Sequence, residues 1–568
     1  MASLLITEAI AEARDCKLPL YVASLDARKA FDVVNQQLLK KKLNNLGLSN
    51  GLWQIVDSMY LDSQEVIRWE GNFSRPYIVQ QGVKQGGILS PSLYKIYINN
   101  LLNSLQECNL GSVIGSIYIG SPTCADDVLL LSNNKHELQA MLDTANKYSQ
   151  THSYQIHPQK TVITTLVEKK SITAYDEDHE WVLGANKVTT APTFVHLGLK
   201  WNEGKRAPDI AANIQSARRR AYSMMRVGLH GIEGLGPATS FKIIKIYIIP
   251  CLLHGLEATI LSSKDLASME KYYKGLLRQI QALPENTASE AIYLLLGAIP
   301  VQAIYHIKVM TLFGSICRLP QTHALQLLCK RQLAMDNSKN SWINLVTSIG
   351  EKYNIDIHKQ MQFPWPKQAW KIYIKNTITE QNREYLLSSA ADKSSLKWMI
   401  MEDHNLNKVH PIWQLAGCNS TFLQSAHTRV KMLTGRYKTQ LVLKKYQLQD
   451  SSLCHLCGLE EEDTLHMITG CSKTAHLRNN VLKELSQLLR DEGKPEPTTA
   501  LEKCSLLLNG YTFRAIDSIT DTITTISIRP ENRYRANQLA NKFVHRLDIF
   551  RNSLNNEVTT PHGCSPEP

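Results

Sequence analysis

The sequence predicts an α+β fold: an antiparallel sheet with helices in the N-terminal third, a helical region after it, and a small metal-binding segment towards the C-terminus. Three observations predict this. Strand-like and helical runs alternate irregularly up to about Val162, which suits an antiparallel α+β sheet better than a doubly wound parallel one. From Pro208 to Cys317 apolar residues recur at helical spacing, with Ile210, Ala217 and Met224 on one face. Cys454, Cys457, His466 and Cys471 then carry the ligand types and local spacing of a structural zinc site.

Each element has its own signal. Ala2 to Cys16 reads as an amphipathic helix, with Leu4, Leu5, Ala9, Ile10 and Ala13 on one side. Tyr21-Val22-Ala23-Ser24-Leu25 reads as a strand that ends in Asp26. Asn35 to Leu46 and Gly51 to Tyr60 read as helices, the first closed by Gly47. Val66 to Trp69 and Tyr77 to Gln80 read as strands, with Gly71-Asn72 as a turn between them. Pro91 sits where its missing N–H costs little, at the start of a helix running from Ser90 through Leu105. Ile117 to Thr123 and Val128 to Ser132 are strand-like runs around Cys124-Ala125-Asp126-Asp127, so a hairpin with two acids at its tip is expected. A helix from Lys135 to Ser149 and a strand from Ile156 to Val162 follow. Residues 320–410 read as helical without legible chemistry, and the tail beyond Gly493 as polar, with the last ten residues disordered.

Composition sets outer bounds. The chain has 568 residues, with 43% hydrophobic and 20% charged, which fits a globular protein of several domains at roughly 100–200 residues each. A net charge of +12 favours a polyanionic partner without requiring one. Twelve scattered cysteines make no short secreted framework, and no signal-peptide pattern is seen, so a reducing intracellular compartment is expected. The apolar stretch Phe241 to Leu261 is interrupted by Lys242, Lys245, Pro250, His254 and Glu257, and reads as core helices, not a membrane span.

Two adjacent carboxylates beside a buried strand are costly unless a cation neutralises them. Taken alone, Asp126-Asp127 would read as a solvated acidic turn. It stands, however, in an ordered trio with Asp26 and with Gly82-Val83-Lys84-Gln85-Gly86-Gly87-Ile88-Leu89-Ser90-Pro91. That trio resembles the palm of a reverse transcriptase, and most of all the polymerases of non-LTR (LINE-type) retrotransposons. The resemblance is specific from about Leu18 to Thr161 and looser to about Pro300. Cys124 departs from it, replacing the usual aromatic; the departure is expected to affect packing under the hairpin.

The resemblance implies a right-hand palm and a helical thumb, with RNA-directed DNA polymerase activity on an RNA template, a DNA primer and dNTPs. Asp26 and Asp126 would bridge two Mg²⁺ ions, the Ala27 carbonyl would complete one shell, and Asp127 would support the charge arrangement. Such ions about 3.5–4 Å apart stabilise both the attacking and the leaving oxygen of an in-line displacement. Phe31 would lie under the incoming sugar and exclude a 2′-OH, or is simply a core aromatic. Gln85, Gly86 and Gly87 would let backbone approach the nucleotide closely. Lys160 would protonate the leaving pyrophosphate, or is a surface lysine. Phe194 to Leu199 resembles the hairpin that holds the primer end.

Arg218, Arg219 and Arg220 could follow a phosphate backbone or form a solvated helix face. The Cys454-x2-Cys457-x8-His466-x4-Cys471 cluster, with Gly458 in its turn, resembles the Cys/His segment that ends many LINE polymerases. Arg429, Lys431 and Arg436 upstream add positive charge for nucleic acid, and Tyr437 adds an aromatic that could stack on a base. His476 is a weaker ligand candidate, and Cys504 reads as a buried thiol.

The expected divisions are a partial palm at 1–205, thumb at 206–318, a connecting region at 319–420, the zinc segment at 421–490 and the tail at 491–568. The palm is expected to lack its fingers, and therefore to show little polymerase activity alone. The alternative is an inactive or domesticated retroelement fragment that binds RNA. The expected location is intracellular, nucleus and cytoplasm, with no membrane partner.

Overall fold

Alternation along Tyr21–Leu25 places Tyr21, Ala23 and Leu25 on one face of a sheet, where they pack with Val128, Leu130 and Ile163 of the neighbouring strands. The other face is also dry: Val22, Leu129 and Leu131 are fully buried. A strand buried on both sides must be apolar throughout, which is why Val128-Leu129-Leu130-Leu131 is a continuous run. These observations come from a computed structural model that describes residues 1–166, 179–231, 234–335, 340–400, 406–414, 416, 420–516 and 522–558.

The central sheet has five strands. Tyr21–Leu25 lies in the middle, antiparallel to Asp127–Ser132 on one side and to Val162–Thr165 on the other. Thr123–Cys124 forms one edge, and Thr189–Thr190 forms the other, parallel to Val162–Ile163. Helices Gln36–Asn45, Ser90–Glu107 and Lys135–Thr151 contribute Leu39, Leu43, Leu93, Tyr94, Leu101, Met141 and Leu142 to the packed face. The side chains of Asn35 and Asn134 cap two of these helices, accepting from Leu38 N–H and from the N–H groups of His136 and Glu137.

Several elements differ in detail from expectation. The outer arm of the Asp-Asp hairpin is Thr123–Cys124, continued by the Pro122 and Gly120 carbonyls that accept from Leu129 and Leu131 N–H, while Ile117–Tyr118 turns back to pair with Val113–Ile114. Asn72 belongs to a strand; the turn before it is Glu70-Gly71, both at positive φ. The strand expected at Ile156–Val162 begins only at Val162, and Ile156 makes an isolated bridge to Ala27. Pro158 between them has no N–H to give a ladder.

The chain forms two compact units. The first comprises Met1–Asn213, Leu253–Ser262 and Lys308–Ile372; the second comprises Ile214–Leu252, Ser263–Ile307 and Tyr373–Pro568. This departs from the thumb and connecting region expected at 206–318 and 319–420. The cause lies in contacts distant in sequence. Glu8 accepts from Trp342 N–H at 2.6 Å and from Gln332 Nε2 at 3.3 Å, and the Trp342 indole donates to the Glu257 carbonyl at 2.9 Å.

The expected polar tail is also corrected. Residues Ala500–Asn509 and Arg533–Val558 are helices, and Thr512–Ile516 pairs with Ile523–Ser527. Phe513, Ala540, Phe543, Val544 and Leu547 are fully buried, so apolar positions spaced among polar ones form a core here. The last ten residues, expected to be disordered, lie outside the described residues. Among the described residues no single helix is long and apolar enough to cross a membrane.

Candidate active site and metal centre

The register of the central sheet builds the acidic site. Leu25 is opposite Val128, so Asp26 leaves its strand at the end where Asp127 enters the neighbouring one. Cys124 faces Asp127 across a two-residue loop of Ala125 and Asp126. Ala125 has a φ of 56°, which a residue with a Cβ adopts at a cost of about 1 kcal/mol or more. Such a tip persists only where the sheet beneath it dictates it. Cys124 is exposed, so the expected packing role under the hairpin is not what the structure shows.

The carboxyls repel one another. Partial burial raises the Asp127 pKa above the ordinary carboxylate range, with Asp126 and then Asp26 adding to the effect. Lys160 Nζ lies 3.6 Å from the Asp26 carboxylate, so the one lysine expected at this site is beside it. Both groups are about half or more exposed, so the pair contributes little stability. A cluster of three acids with one partly solvated lysine is a charge arrangement that divalent cations would relieve. The Asp26 carbonyl accepts from His157 N–H at 2.8 Å and Arg28 N–H donates to the Gln155 carbonyl at 2.9 Å, which fixes the backbone on both sides of Ala27.

The Gly-rich segment is tied to the same place. Val83 N–H donates to the Phe31 carbonyl and Gly82 N–H to the Val34 carbonyl, each at 2.8 Å. Gly82 has a φ of 94°, and a Cβ there would meet the Asp32 carbonyl oxygen at 2.9 Å. Gln85 Nε2 donates to Asp32 Oδ1 at 3.0 Å. A Cβ on Gly87 would lie 2.7 Å from Ser90 Oγ, which itself donates to the Lys84 carbonyl at 2.5 Å. Gln85, Gly87 and Asp32 line a cleft of about 1120 Å³ that also touches Tyr60 and Tyr77. Phe31 is half-buried and stacks on Tyr94. Phe194, at the expected primer hairpin, lies in a strand pair Thr193–His196 and Leu199–Asn202, turned by Leu197 and Gly198, both at positive φ.

Cys454, Cys457, His466 and Cys471 converge, with all four ligand atoms within 4.8 Å of one another. Cys454 Sγ and Cys471 Sγ are 4.0 Å apart, and Cys457 Sγ is 3.4 Å from His466 Nε2. The sulfurs are too far apart for a disulfide, at about 2.05 Å. Tetrahedral coordination at about 2.3 Å to sulfur and 2.0–2.1 Å to nitrogen would place ligands ~3.5–3.8 Å from one another. Gly458, at φ 68°, turns the chain after the first pair. Burial opposes a Cys457 thiolate, but the Leu459 and Glu460 N–H groups, Cys454 and His466 bring the thiol down to about 7. His476 stands outside the cluster, edge-on to Phe550 at 5.8 Å. Cys504 is fully buried, as expected.

Two acids here escaped the sequence reading. Glu460 Oε2 lies 2.7 Å from His466 Nδ1, the position of a carboxylate that orients a ligating imidazole. Glu462, fully buried, holds Arg551 Nη2 at 2.7 Å and His455 Nδ1 at 2.8 Å. The first was findable as an acid close before the histidine; the second, paired across 89 positions, was not.

The expected nucleic-acid residues divide. Arg218, Arg219 and Arg220 are exposed on helix Ile210–Met225, with Arg218 over the Tyr272 ring at 5.9 Å. Lys431 and Arg436 are half-buried and line a cleft of about 1130 Å³ beside Cys454 and His455. Arg429 does not belong with them: it is fully buried, and its guanidinium donates to Asn541 Oδ1 at 2.7 Å, Asn537 Oδ1 at 2.5 Å and the Asn509 carbonyl at 3.2 Å. Tyr437 is not free to stack on a base either, since its hydroxyl donates to Asp548 at 2.6 Å and Arg551 covers its ring at 5.3 Å.

Residues 4–200 match the family model for reverse transcriptase (RNA-dependent DNA polymerase). A Pol polyprotein from the type-1 retrotransposable element R2 of Popillia japonica is 24% identical over 87% of this chain and 76% of its own length. Residues 4–200 are a reverse transcriptase domain of the non-LTR retrotransposon type. The R2 Pol polyprotein of Nasonia vitripennis is 28% identical over 50% of this chain, and the chain spans 27% of that protein. The RNA-directed DNA polymerase of the mobile element jockey from Drosophila funebris is 22% identical over 46% of this chain, which spans 28% of it. The reverse transcriptase domain contains Asp26, Asp126, Asp127, Lys160 and the Gly82–Pro91 segment; the Cys/His cluster lies beyond it.

Proposed function

We propose that this chain is the polymerase portion of a retrotransposon protein, extending a DNA primer on an RNA template from dNTPs. The observation that carries the reading is the convergence of Asp26, Asp126 and Asp127 at one end of two paired strands, with Lys160 beside them. Two Mg²⁺ ions held by the acids would supply the charge that stabilises the attacking and leaving oxygens. Asp26 and Asp126 would hold these ions, with the Ala27 carbonyl and Asp127 beside them.

The chain's own groups then have distinct tasks. Gln85, Gly86 and Gly87 present backbone and an amide to the nucleotide in the cleft. The Phe31 ring presses on the sugar, where a 2′-hydroxyl would be crowded and left without a partner. Lys160 donates its proton to the departing pyrophosphate. Arg218, Arg219 and Arg220 attract the nucleic-acid backbone. A structural Zn²⁺ held by Cys454, Cys457, His466 and Cys471 would close its segment, with Lys431 and Arg436 adding positive charge for RNA or DNA. The protein would work inside the cell, in cytoplasm and nucleus.

The test is primer extension on an RNA template by the purified 568-residue chain with Mg²⁺. Asp126→Asn should abolish extension and leave the fold intact. Near-normal extension by the folded variant would sink the metal assignment. Template binding without extension by the wild-type chain is the weak activity expected of the isolated palm and equally fits a domesticated, RNA-binding fragment.

A further inference from the structure

We propose that Tyr94 is a positioning residue for sugar discrimination, holding the Phe31 ring at the angle and height from which it excludes a 2′-OH. This rests on the reading of Phe31 as the ring under the incoming sugar.

Phe31 lies outside any regular element, between Asp26 and the helix that starts at Gln36. Its backbone is held by the Val83 N–H bond, but a backbone bond leaves the ring free to rotate about χ1 and χ2. What meets the ring is Tyr94, with centroids 5.1 Å apart and planes inclined by 26°. A half-buried ring with one stacked partner takes its orientation from that partner.

Tyr94 is itself part of the packed core. It is 2% exposed, in the opening turns of helix Ser90–Glu107, whose start is fixed by Pro91 and the Ser90–Lys84 hydrogen bond. Its phenol is held far above the usual range by burial first, then by Tyr154 and more weakly by Asp126, Tyr97 and Tyr148. Behind it stands Tyr97, 6.4 Å away, whose hydroxyl donates to the His152 carbonyl at 2.6 Å and whose ring lies under Lys42 Nζ at 5.1 Å. Lys42 is fixed in turn by the Tyr148 hydroxyl at 2.7 Å. A rigid column therefore runs from Lys42 through Tyr97 and Tyr94 to Phe31. Tyr94 is buried and does not line the cleft, so its effect passes through Phe31.

The experiment compares dNTP with rNTP incorporation by kcat and KM, in wild type, Phe31→Ala, Tyr94→Leu, Tyr94→Phe and the Phe31→Ala/Tyr94→Leu pair. The same series is read as binding of dATP against ATP, which differ only at the 2′ position, to a complex with a dideoxy-terminated primer, which needs no turnover. An aromatic pair of this kind is expected to be worth ~3–10-fold in discrimination. Tyr94→Leu should relax discrimination by that factor through tighter and faster rNTP use, with dNTP use nearly unchanged. Tyr94→Phe keeps the ring and should retain discrimination. In the Phe31→Ala background Tyr94→Leu should add nothing. If Phe31→Ala itself leaves the ratio unchanged, the reading of Phe31 fails and the inference falls with it. If Phe31→Ala relaxes the ratio and Tyr94→Leu does not, or if Tyr94→Leu acts equally in both backgrounds, the inference alone is overturned.

Discussion

Arg429→Met removes a cation whose guanidinium hydrogen-bonds, among the described residues, to the neutral acceptors Asn509, Asn537 and Asn541. Each hydrogen bond from a charged donor contributes about 1.5–3 kcal/mol. Against this stands a desolvation penalty of several kcal/mol for a buried ion. Burial accordingly pushes the Arg429 pKa below its ordinary value. Methionine fills part of the volume but leaves the amide oxygens unsatisfied in a dry site, at about 1–3 kcal/mol each. Relief of the desolvation penalty offsets part of this, so the net loss should be ~3 kcal/mol. Because the chain has two units, a single melting temperature is a poor measure. Amide hydrogen exchange resolves the consequence: protection should fall in Ser420–Leu433, Ala500–Asn509 and Arg533–Val558, the helices that carry Arg429 and its three partners. Helix Ser90–Glu107 should be unaffected. A buried Arg429 is refuted if exchange is unchanged while the salt dependence of RNA binding loses the slope of one phosphate contact, ~0.7–0.9. That outcome would return Arg429 to the surface.

Other outcomes follow from the same geometry. Properly reduced protein should hold about one zinc per chain, as expected for a closed four-ligand site, and Cys454→Ser should release it and unfold the segment locally; elemental analysis without zinc would count decisively against it. Glu460→Gln should weaken zinc binding by about 10–100-fold without removing a ligand, measured by competition with a chelator. Burial, followed by weaker repulsion from Glu12 and Asp15, raises the Glu8 carboxyl to about 7. A carboxyl raised on folding adds stability that is full below its unfolded value and is lost as pH rises through about 7. Stability of the first unit should therefore fall by up to ~3 kcal/mol between pH 4.5 and 7. Glu8→Gln should flatten that slope in chemical denaturation, and an unchanged slope would assign it to another group.

Much of the site was legible because its signals are local. Asp26 at a strand end, Asp126 and Asp127 around a turn, and Gly-Gly before Ser90-Pro91 each declare themselves within a few residues, and the sheet register joins the two acidic ends. The Cys/His cluster is local in the same sense, since a metal shell closed by one short segment leaves its spacing in the sequence. The sequence was also sufficient for the α+β class and for most helix boundaries near the sheet, through periodicity and capping residues.

Tertiary structure alone decided the rest. Basic residues near a cysteine cluster look alike whether they face solvent or a cage of asparagines, and Arg429 is separated from Asn537 by 108 positions. Glu8 meets Trp342 across 334 positions, and that contact helps to place residues 308–372 with the sheet. Phe31 carries no mark of Tyr94, because an aromatic beside a turn and an aromatic in a helix are each consistent with many packings. Periodicity reports that a face is buried, but the hydrophobic effect is not directional and does not name the partner. Shape, register and hydrogen-bond geometry do so only when distant segments have met.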